Sequence, residues 1–142
     1  MMKTLQAISD IGVLVVEWLL PSILTWYREK IMREEIEKVL EAMKEDYKRW
    51  SNNTDDSEIK TKMEEDYCNG LTVTEGSRYY KIVSDKHGQR SVNGFIVKAG
   101  DKKFREGDML KAAGWAAPAR NFARGNVLDG SGVNNVRWTG IG

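Results

Sequence analysis

Hydrophobic and polar positions divide the chain into a helical first half and a strand-rich second half. The clearest helical pattern runs from Ser22 to about Trp50, where apolar residues recur every three or four positions and charged residues occupy the other face. This pattern predicts a long amphipathic helix whose apolar face packs either in the chain's own core or against a partner helix in a coiled coil. The apolar stripe consists of Met32, Ile36, Val39, Leu40, Met43, Tyr47 and Trp50.

A shorter apolar run precedes this helix. Residues Ile11–Leu20 are nearly continuous in apolar side chains, with Glu17 in the middle, so the run is too short for a bilayer span, which needs about 20 apolar residues. Because proline fits the first turn of a helix, we expect a new helix to begin at Pro21. The run is either buried against a partner chain or lies on a membrane surface, and the lack of a basic face favours the partner chain. Lys3 alone makes a weak signal-peptide basic region, so no secretory signal is expected.

A second, shorter helix is predicted from Ser57 to Tyr67. Turn and cap formers fill positions 51–56, and Asp55 with Glu58 has the spacing of a capping box. A helix of about eleven residues cannot cover an amphipathic helix of nearly thirty, so apolar surface remains for a second copy or another protein. The predicted oligomer interface consists of Val15, Trp18, Leu19, Met32, Ile36, Leu40, Met43 and Tyr47.

The composition changes after Asn69-Gly70. Twelve of the 13 glycines are Gly70 itself or follow it, and short runs rich in β-branched residues alternate with turn signals, a pattern typical of antiparallel strands. The predicted strands are Leu71–Thr74, Arg78–Ser84, Ser91–Ala99, Met109–Ala112, Asn126–Leu128 and Val133–Thr139. We therefore expect an α+β fold, in which residues 1–68 form a helical hairpin and residues 69–142 form a small antiparallel, partly closed, barrel-like β module.

Charge is distributed unevenly between these halves. The net charge of the whole chain is +1, but residues 1–68 hold 10 Lys and Arg against 15 Asp and Glu, a net of −5. Residues 69–142 hold 12 against 6, a net of +6. This asymmetry is the clearest functional clue in the sequence, because summed charge steers association.

One segment of the basic half combines cations, aromatic rings and amides. Cations neutralise phosphates, rings stack on bases and amides can bind base edges in an open strand. The rings could equally fill the module's core, and the arginines could pair with the acidic half of a neighbouring subunit, so protein and nucleic-acid partners both remain open. The candidate nucleic-acid-binding residues are Lys111, Trp115, Arg120, Asn121, Phe122 and Arg124, followed by Asn126.

Two resemblances involve the same region. The segment 103–127, together with Val136-Arg137-Trp138-Thr139-Gly140, resembles part of some small uncharacterised bacteriophage proteins. That resemblance implies a viral origin and no particular activity. Gly107-Asp108, Leu110 and Gly114, followed by Gly125-Asn126-Val127, resemble the outline of KOW-type barrels from ribosomal and transcription proteins, which implies contact with RNA or a transcription complex.

Catalytic chemistry is not expected. His87 is the only histidine and lies in a charged turn, and Cys68 is the only cysteine, so neither a nucleophile–histidine pair nor a disulfide is predicted. No cofactor and no metal site are predicted either.

We therefore expect a non-enzymatic, phage-type interaction protein in the host cytoplasm or the virion. It would dock or oligomerise through its apolar N-terminal helices and engage a protein or nucleic-acid partner through the basic β module. The alternative is a virion or assembly component in which both halves are subunit contacts.

Overall fold

The computed structural model describes residues 10–52 and 57–142, with side chains from residue 21 onwards in the first range. Helix α1 spans Asp10–Ser51 and helix α2 spans Ser57–Gly70. A short 3-10 turn covers Ser131–Asn134. The strands are β1 (Leu71–Glu75), β2 (Tyr79–Lys86), β3 (Gln89–Val97), β4 (Met109–Leu110), β5 (Val136–Arg137) and β6 (Gly140–Ile141). The predicted α+β class is confirmed.

Helix α1 is one continuous helix, so the predicted start of a new helix at Pro21 is wrong. Pro21 lies inside α1, where a proline removes one backbone hydrogen bond without necessarily ending the helix. The Thr25 hydroxyl donates a hydrogen bond of 2.9 Å to the Pro21 carbonyl, back along the helix. A single proline is therefore a weaker stop signal than the helical pattern on both sides of it.

The chain divides into two compact units, Met1–Glu34 and Glu35–Gly142. In the first unit, the described part of α1 exposes large apolar side chains, and the Nζ atom of Lys30 lies 5.4 Å from the centre of the Trp26 ring. The second unit contains the rest of α1, all of α2 and every strand. The exposed apolar residues of the first unit are Ile23, Leu24, Trp26, Tyr27 and Ile31.

The main sheet has four antiparallel strands in the order β1-β2-β3-β4, and β5 pairs with β6 in a separate hairpin. The predicted closure into a barrel is wrong, because among the described strands β1 and β4 remain the two edges of an open sheet. The predicted strand at 126–128 is reduced to a single bridge between Asp108 and Asn126.

Strand β3 is buried on both faces of the sheet from Asn93 to Val97. Successive side chains of a strand point to opposite faces. On one face, Phe95 and Val97 of β3 pack with Leu110 and Phe104 in a hydrophobic cluster. On the other face, Gly94 lies against Ile141 of β6, so closely that an added Cβ would be 2.4 Å from the Ile141 side chain.

The apolar stripe of α1 is buried except for its last residue, Trp50, which is 46% exposed. The Asp46 carboxylate accepts a hydrogen bond of 2.9 Å from the backbone N–H of Trp138, and the Tyr47 and Trp138 rings meet edge to face with centres 5.2 Å apart. These contacts place the end of α1 beside the segment that leads into β6. The stripe residues Met32, Ile36, Val39, Leu40, Met43 and Tyr47 are each no more than 4% exposed.

A partly exposed ion pair between Arg120 and Asp101 fixes the loop that follows β3. The Arg120 guanidinium donates two hydrogen bonds to the Asp101 carboxylate, at 2.9 and 3.1 Å. The backbone N–H groups of Lys103 and Phe104 donate to the same carboxylate. Arg120, and then these backbone donors, hold the pKa of Asp101 well below its usual range. Because the folded state favours the charged carboxylate, this site stabilises the protein above the unfolded pKa of about 4, and the contribution is lost as pH falls below it.

Asp101→Asn is therefore expected to lower the urea midpoint at pH 7, and the difference from wild type should shrink below about pH 4. Urea titrations followed by circular dichroism at pH 7, 5 and 3 would measure it. Glu65→Gln is the matched control, since Glu65 is an exposed acid of α2, and it should leave the midpoint unchanged. An Asp101→Asn difference that is equally large at pH 3 would contradict the role of the charge.

Candidate functional site

A short hairpin after β4 carries Trp115 at its tip. The Lys111 carbonyl accepts a hydrogen bond of 2.8 Å from the N–H of Ala119, and Ala112 forms a bridge with Pro118. At the tip, the N–H groups of residues 113 and 114 both donate to the Ala117 carbonyl. This loop holds Trp115 at 47% exposure.

Two cations from the main sheet contact the Trp115 ring. The Nζ atom of Lys81 in β2 lies 4.4 Å from the ring centre, and the Arg90 guanidinium carbon in β3 lies 5.3 Å from it. We call these three residues the Trp115 platform. A ring with ammonium and guanidinium groups beside it can stack on a base while the cations reach phosphates.

Sequence reasoning found Trp115 and missed its two cations. Lys81 and Arg90 lie on different strands, far from residue 115 along the chain. The alternation of β2 is a signal that Lys81 shares a face with Tyr79. No local pattern shows that the 111–119 hairpin reaches that face, because that is a property of the tertiary fold.

Arg120 is placed differently from the sequence hypothesis. Besides its bonds to Asp101, its guanidinium donates to the Tyr79 hydroxyl and lies 4.9 Å from the centre of the Phe104 ring. These contacts use most of its donors inside the module. Asn126 is likewise buried, and its Nδ2 donates to Asp108 Oδ1 at 2.9 Å. Both residues hold loops in place.

The remaining candidates form a second aromatic and cationic pair. Phe122 is 58% exposed, and the guanidinium carbon of Arg124 lies 3.8 Å from the centre of its ring. Arg124 also donates to Asn121 Oδ1 at 2.8 Å and to the Phe122 carbonyl at 2.7 Å. Lys111 is exposed at the base of the Trp115 hairpin. Five of the six candidates are thus grouped with Trp115 or with Phe122, and Arg120 is the exception.

Most cations of the basic half have no carboxylate partner among the residues whose side chains the structure describes. Of the 12 Lys and Arg in residues 69–142, four lie within 4.0 Å of a carboxylate, namely Arg78, Lys98, Arg105 and Arg120. Over the described ranges, the other eight have no carboxylate within this distance. They are Lys81, Lys86, Arg90, Lys102, Lys103, Lys111, Arg124 and Arg137. The excess charge is therefore available to an anionic partner.

The residues predicted as an oligomer interface have two different placements. Met32, Ile36, Leu40, Met43 and Tyr47 are buried in the folded chain, so their side chains are not on its outer surface. Val15, Trp18 and Leu19 lie outside the residues whose side chains the structure describes.

A second concave region, which we call the Trp138 groove, lies in the second unit. It has a volume of about 590 Å³ and is walled by Tyr47, Tyr67 and Trp138. The Tyr47 and Tyr67 rings stack with centres 4.3 Å apart. Burial is the main cause that raises the pKa of both tyrosines, so their hydroxyls stay protonated at neutral pH. The rest of the groove lining comes mainly from β2 and β3. These residues are Ser84, Asp85, Lys86, Gln89, Arg90, Ser91 and Asn93, together with Thr139.

The Tyr67 hydroxyl donates a hydrogen bond of 2.8 Å to the Trp138 carbonyl. The Tyr47 hydroxyl is buried and has no hydrogen-bond partner among the described residues. Sequence reasoning assigned Tyr47 to an apolar stripe and did not identify this groove, which combines residues from α1, α2, β2, β3 and the β5–β6 turn.

His87 and Cys68, the two side chains considered for catalysis, have different surroundings. The Nε2 atom of His87 lies 3.4 Å from the Asp66 carboxylate, and its side chain is 70% exposed. Cys68 is a half-buried free cysteine. Over residues 10–52 and 57–142, no group of three or more His, Cys, Asp or Glu side chains is arranged to hold a metal ion.

None of the described helices combines the length and the hydropathy that a membrane span requires.

Comparisons with known proteins give one finding. Neither the curated proteins nor the solved structures contain a match to this chain. A family profile does match, over residues 26–141, which include the Trp115 platform and the Trp138 groove. Since the match covers most of its length, the chain belongs to the family described as "Family of unknown function (DUF7717)".

Proposed function

We propose that the chain is a non-enzymatic, phage-type interaction protein that binds single-stranded nucleic acid through its basic β surface and assembles through the N-terminal part of α1. The Trp115 platform carries the nucleic-acid part of this proposal. The resemblance of the segment 103–127 to bacteriophage proteins supports a viral origin, with the host cytoplasm or the virion as its location.

Two exposed aromatic rings of the β module, Trp115 of the platform and Phe122 outside it, favour a single strand over a duplex. The half-exposed Trp115 ring offers a stacking surface, which only an unpaired base can use fully. Phe122, 58% exposed beside the Arg124 guanidinium, offers a second one. Base stacking tolerates any sequence, so we expect weak sequence preference.

Charge supports the same partner. Lys81 and Arg90 beside the ring, and Lys111 at the base of its hairpin, have no carboxylate within 4.0 Å among the described residues. A phosphate that replaces counterions at these three cations gains free energy from ion release. A basic surface alone would bind any anion. The Trp115 ring can also stack on a base, which favours nucleic acid over other anions.

The salt dependence of binding tests the platform. Three phosphate contacts on a single strand should give a slope of log affinity against log salt of about −2. Lys81→Ala, Arg90→Ala and Lys111→Ala should each flatten that slope by about 0.7. Trp115→Ala should lower affinity by about 1–3 kcal/mol per stacked base and leave the slope unchanged. Fluorescence anisotropy with labelled single-stranded RNA and DNA, at several salt concentrations, measures both effects.

Lys62→Ala is the matched control, because it removes the same charge from an exposed lysine of α2 and should change neither affinity nor slope. Arg120→Ala should lower the urea midpoint instead of changing the slope, since its partner is Asp101. Non-specific binding is typically about 100 μM or tighter even at physiological salt. If nothing tighter is seen at low salt with folded protein, the nucleic-acid part is refuted.

A virion or assembly component, in which both halves are subunit contacts, is the second candidate. The observation that favours it is the exposed apolar surface of α1, where Ile23, Leu24, Trp26 and Tyr27 are each more than half exposed. Exposed apolar patches of this kind mark interaction sites. In this case we expect light scattering to show discrete large particles. The ratio of their ultraviolet absorbance at the nucleic-acid and protein maxima should show that they contain no nucleic acid.

A further inference from the structure

The Trp138 groove and the Trp115 platform belong to opposite faces of the main sheet. Lys81 and Ser84 are three positions apart on β2, and the register shift between them leaves its unpaired residue, Asn93, on β3. The alternation along β2 therefore points the Lys81 and Ser84 side chains to opposite faces. Lys81 contacts Trp115, whereas Ser84 bonds to Asn93, which in turn bonds to the Trp138 carbonyl. Arg90 belongs to both sites, since it contacts the Trp115 ring and also lines the groove. Trp115 itself does not line the groove, so Trp115 and Tyr47, and not Arg90, distinguish the platform from the groove.

The walls of the groove suit a flat ring. Tyr47 and Tyr67 are stacked within 6° of parallel, and Trp138 meets both of them edge to face. The volume of about 590 Å³ lies within the range of small-molecule sites, about 300–1,000 Å³. An aromatic ligand ring gains both apolar burial and ring contacts in such a site.

The hydrogen bonds along the floor leave a free acceptor. The Asn93 Nδ2 atom donates to the Trp138 carbonyl at 3.4 Å, which fixes the amide orientation. Asn93 Oδ1 then accepts the single hydroxyl hydrogen of Ser84 at 2.9 Å. The 2.8 Å contact between Ser84 and Ser91 must use the hydrogen of Ser91, so Ser91 Oγ keeps free lone pairs. The groove offers this oxygen to a ligand N–H group.

The Tyr47 hydroxyl provides the second unused group. It is buried without a hydrogen-bond partner among the described residues, and Tyr47 itself is 1% exposed. A buried hydroxyl without a partner costs about 1–3 kcal/mol, and such groups in folded proteins require an explanation. A ligand atom that pairs with it would remove this cost on binding.

We propose that the Trp138 groove binds the base of a nucleoside phosphate, as a free mononucleotide or as one base of a single strand. A nucleobase is flat and carries both N–H donors and acceptors, which match Ser91 Oγ and the Tyr47 hydroxyl. Lys86 lines the groove and has no carboxylate within 4.0 Å among the described residues, so it can receive the phosphate. A free mononucleotide and a single strand both present a base and a phosphate, and they differ in the number of linked nucleotides.

Isothermal titration of the full chain with adenosine and cytidine monophosphates tests the proposal. We expect dissociation constants tighter than about 1 mM, and no binding of ribose 5-phosphate, which lacks the base. Tyr47→Phe should weaken nucleotide binding about threefold to tenfold, because it removes one hydrogen bond. In the absence of ligand, the same variant should have an equal or higher urea midpoint, since it removes an unpaired hydroxyl. A purely structural tyrosine would not give this pair of results.

The outcomes distinguish a free mononucleotide from a single strand as the ligand, and the Trp138 groove from the Trp115 platform as the site. If mononucleotides bind, Trp115→Ala should leave their affinity unchanged, because that residue serves the platform. If only oligonucleotides bind, Tyr47→Phe must weaken them without changing the salt slope. If Tyr47→Phe weakens the binding of neither mononucleotides nor single strands, the groove proposal is overturned. This holds even where Trp115→Ala still weakens the binding of single strands. A lower urea midpoint for ligand-free Tyr47→Phe also overturns it, because the hydroxyl then has a partner in the ligand-free protein.

Discussion

Met43→Glu is expected to unfold the protein, because Met43 is fully buried in the stripe of α1. An unpaired buried charge costs several kcal/mol, and the lost apolar packing adds about 2 kcal/mol or more. A domain of this size is stable by only about 5–15 kcal/mol. Circular dichroism during a urea titration should show a large loss of midpoint or no cooperative transition.

The matched variant is Leu24→Glu with Tyr27→Glu. These side chains are 58% and 55% exposed, so charging them should preserve the urea transition. If α1 assembles copies of the chain, the double variant should reduce the native mass measured by light scattering. A Met43→Glu protein that stays folded while its mass falls would instead show that the stripe, and not residues 24 and 27, is the interface.

The second large effect concerns the fragment 69–142, the β module predicted from sequence. Without α1, the Tyr47 ring no longer covers Trp138, and the Asp46 carboxylate no longer accepts its backbone N–H. One face of the sheet, which includes Tyr80, Ile82 and Ile96, is buried in the full chain. We expect this fragment to aggregate or to unfold without a cooperative transition.

The fragment 35–142 provides the comparison, because it contains the whole second compact unit. It should unfold cooperatively in urea and keep the near-ultraviolet signal of packed aromatic rings. If 69–142 alone unfolds just as cooperatively, the helices are not part of the core of the module, and the boundary near residue 69 is a true domain boundary.

Local patterns were sufficient to predict the main elements. The stripe of α1 has a strict helical period, and β2 and β3 lie within two residues of the predicted strands at each end. The start of α2 at Ser57 follows from the cap residues before it. These features depend on residues that are close together in the sequence, so they can be predicted from the sequence alone.

Pairings between distant residues were not predictable. The stripe of α1 was predicted to be an oligomer interface because the short second helix cannot cover it, and only the fold shows that Met32–Tyr47 of the stripe are buried within one chain. Arg120 looked like a phosphate ligand because Asp101, its partner, is nineteen residues away. Lys81 and Arg90 became candidates only when the sheet register placed them beside Trp115.

The junction between α2 and β1 contains no linker, since the helix ends at Gly70 and the strand begins at Leu71. A Cβ on Gly70 would lie 2.0 Å from the carbonyl oxygen of Asp85, so the backbone of β2 occupies the space of any side chain there. Inserting one residue would turn every side chain of β1 to the opposite face, moving Leu71 out of the core. Length variation among related chains should therefore be absent at this junction and permitted at turns such as His87-Gly88.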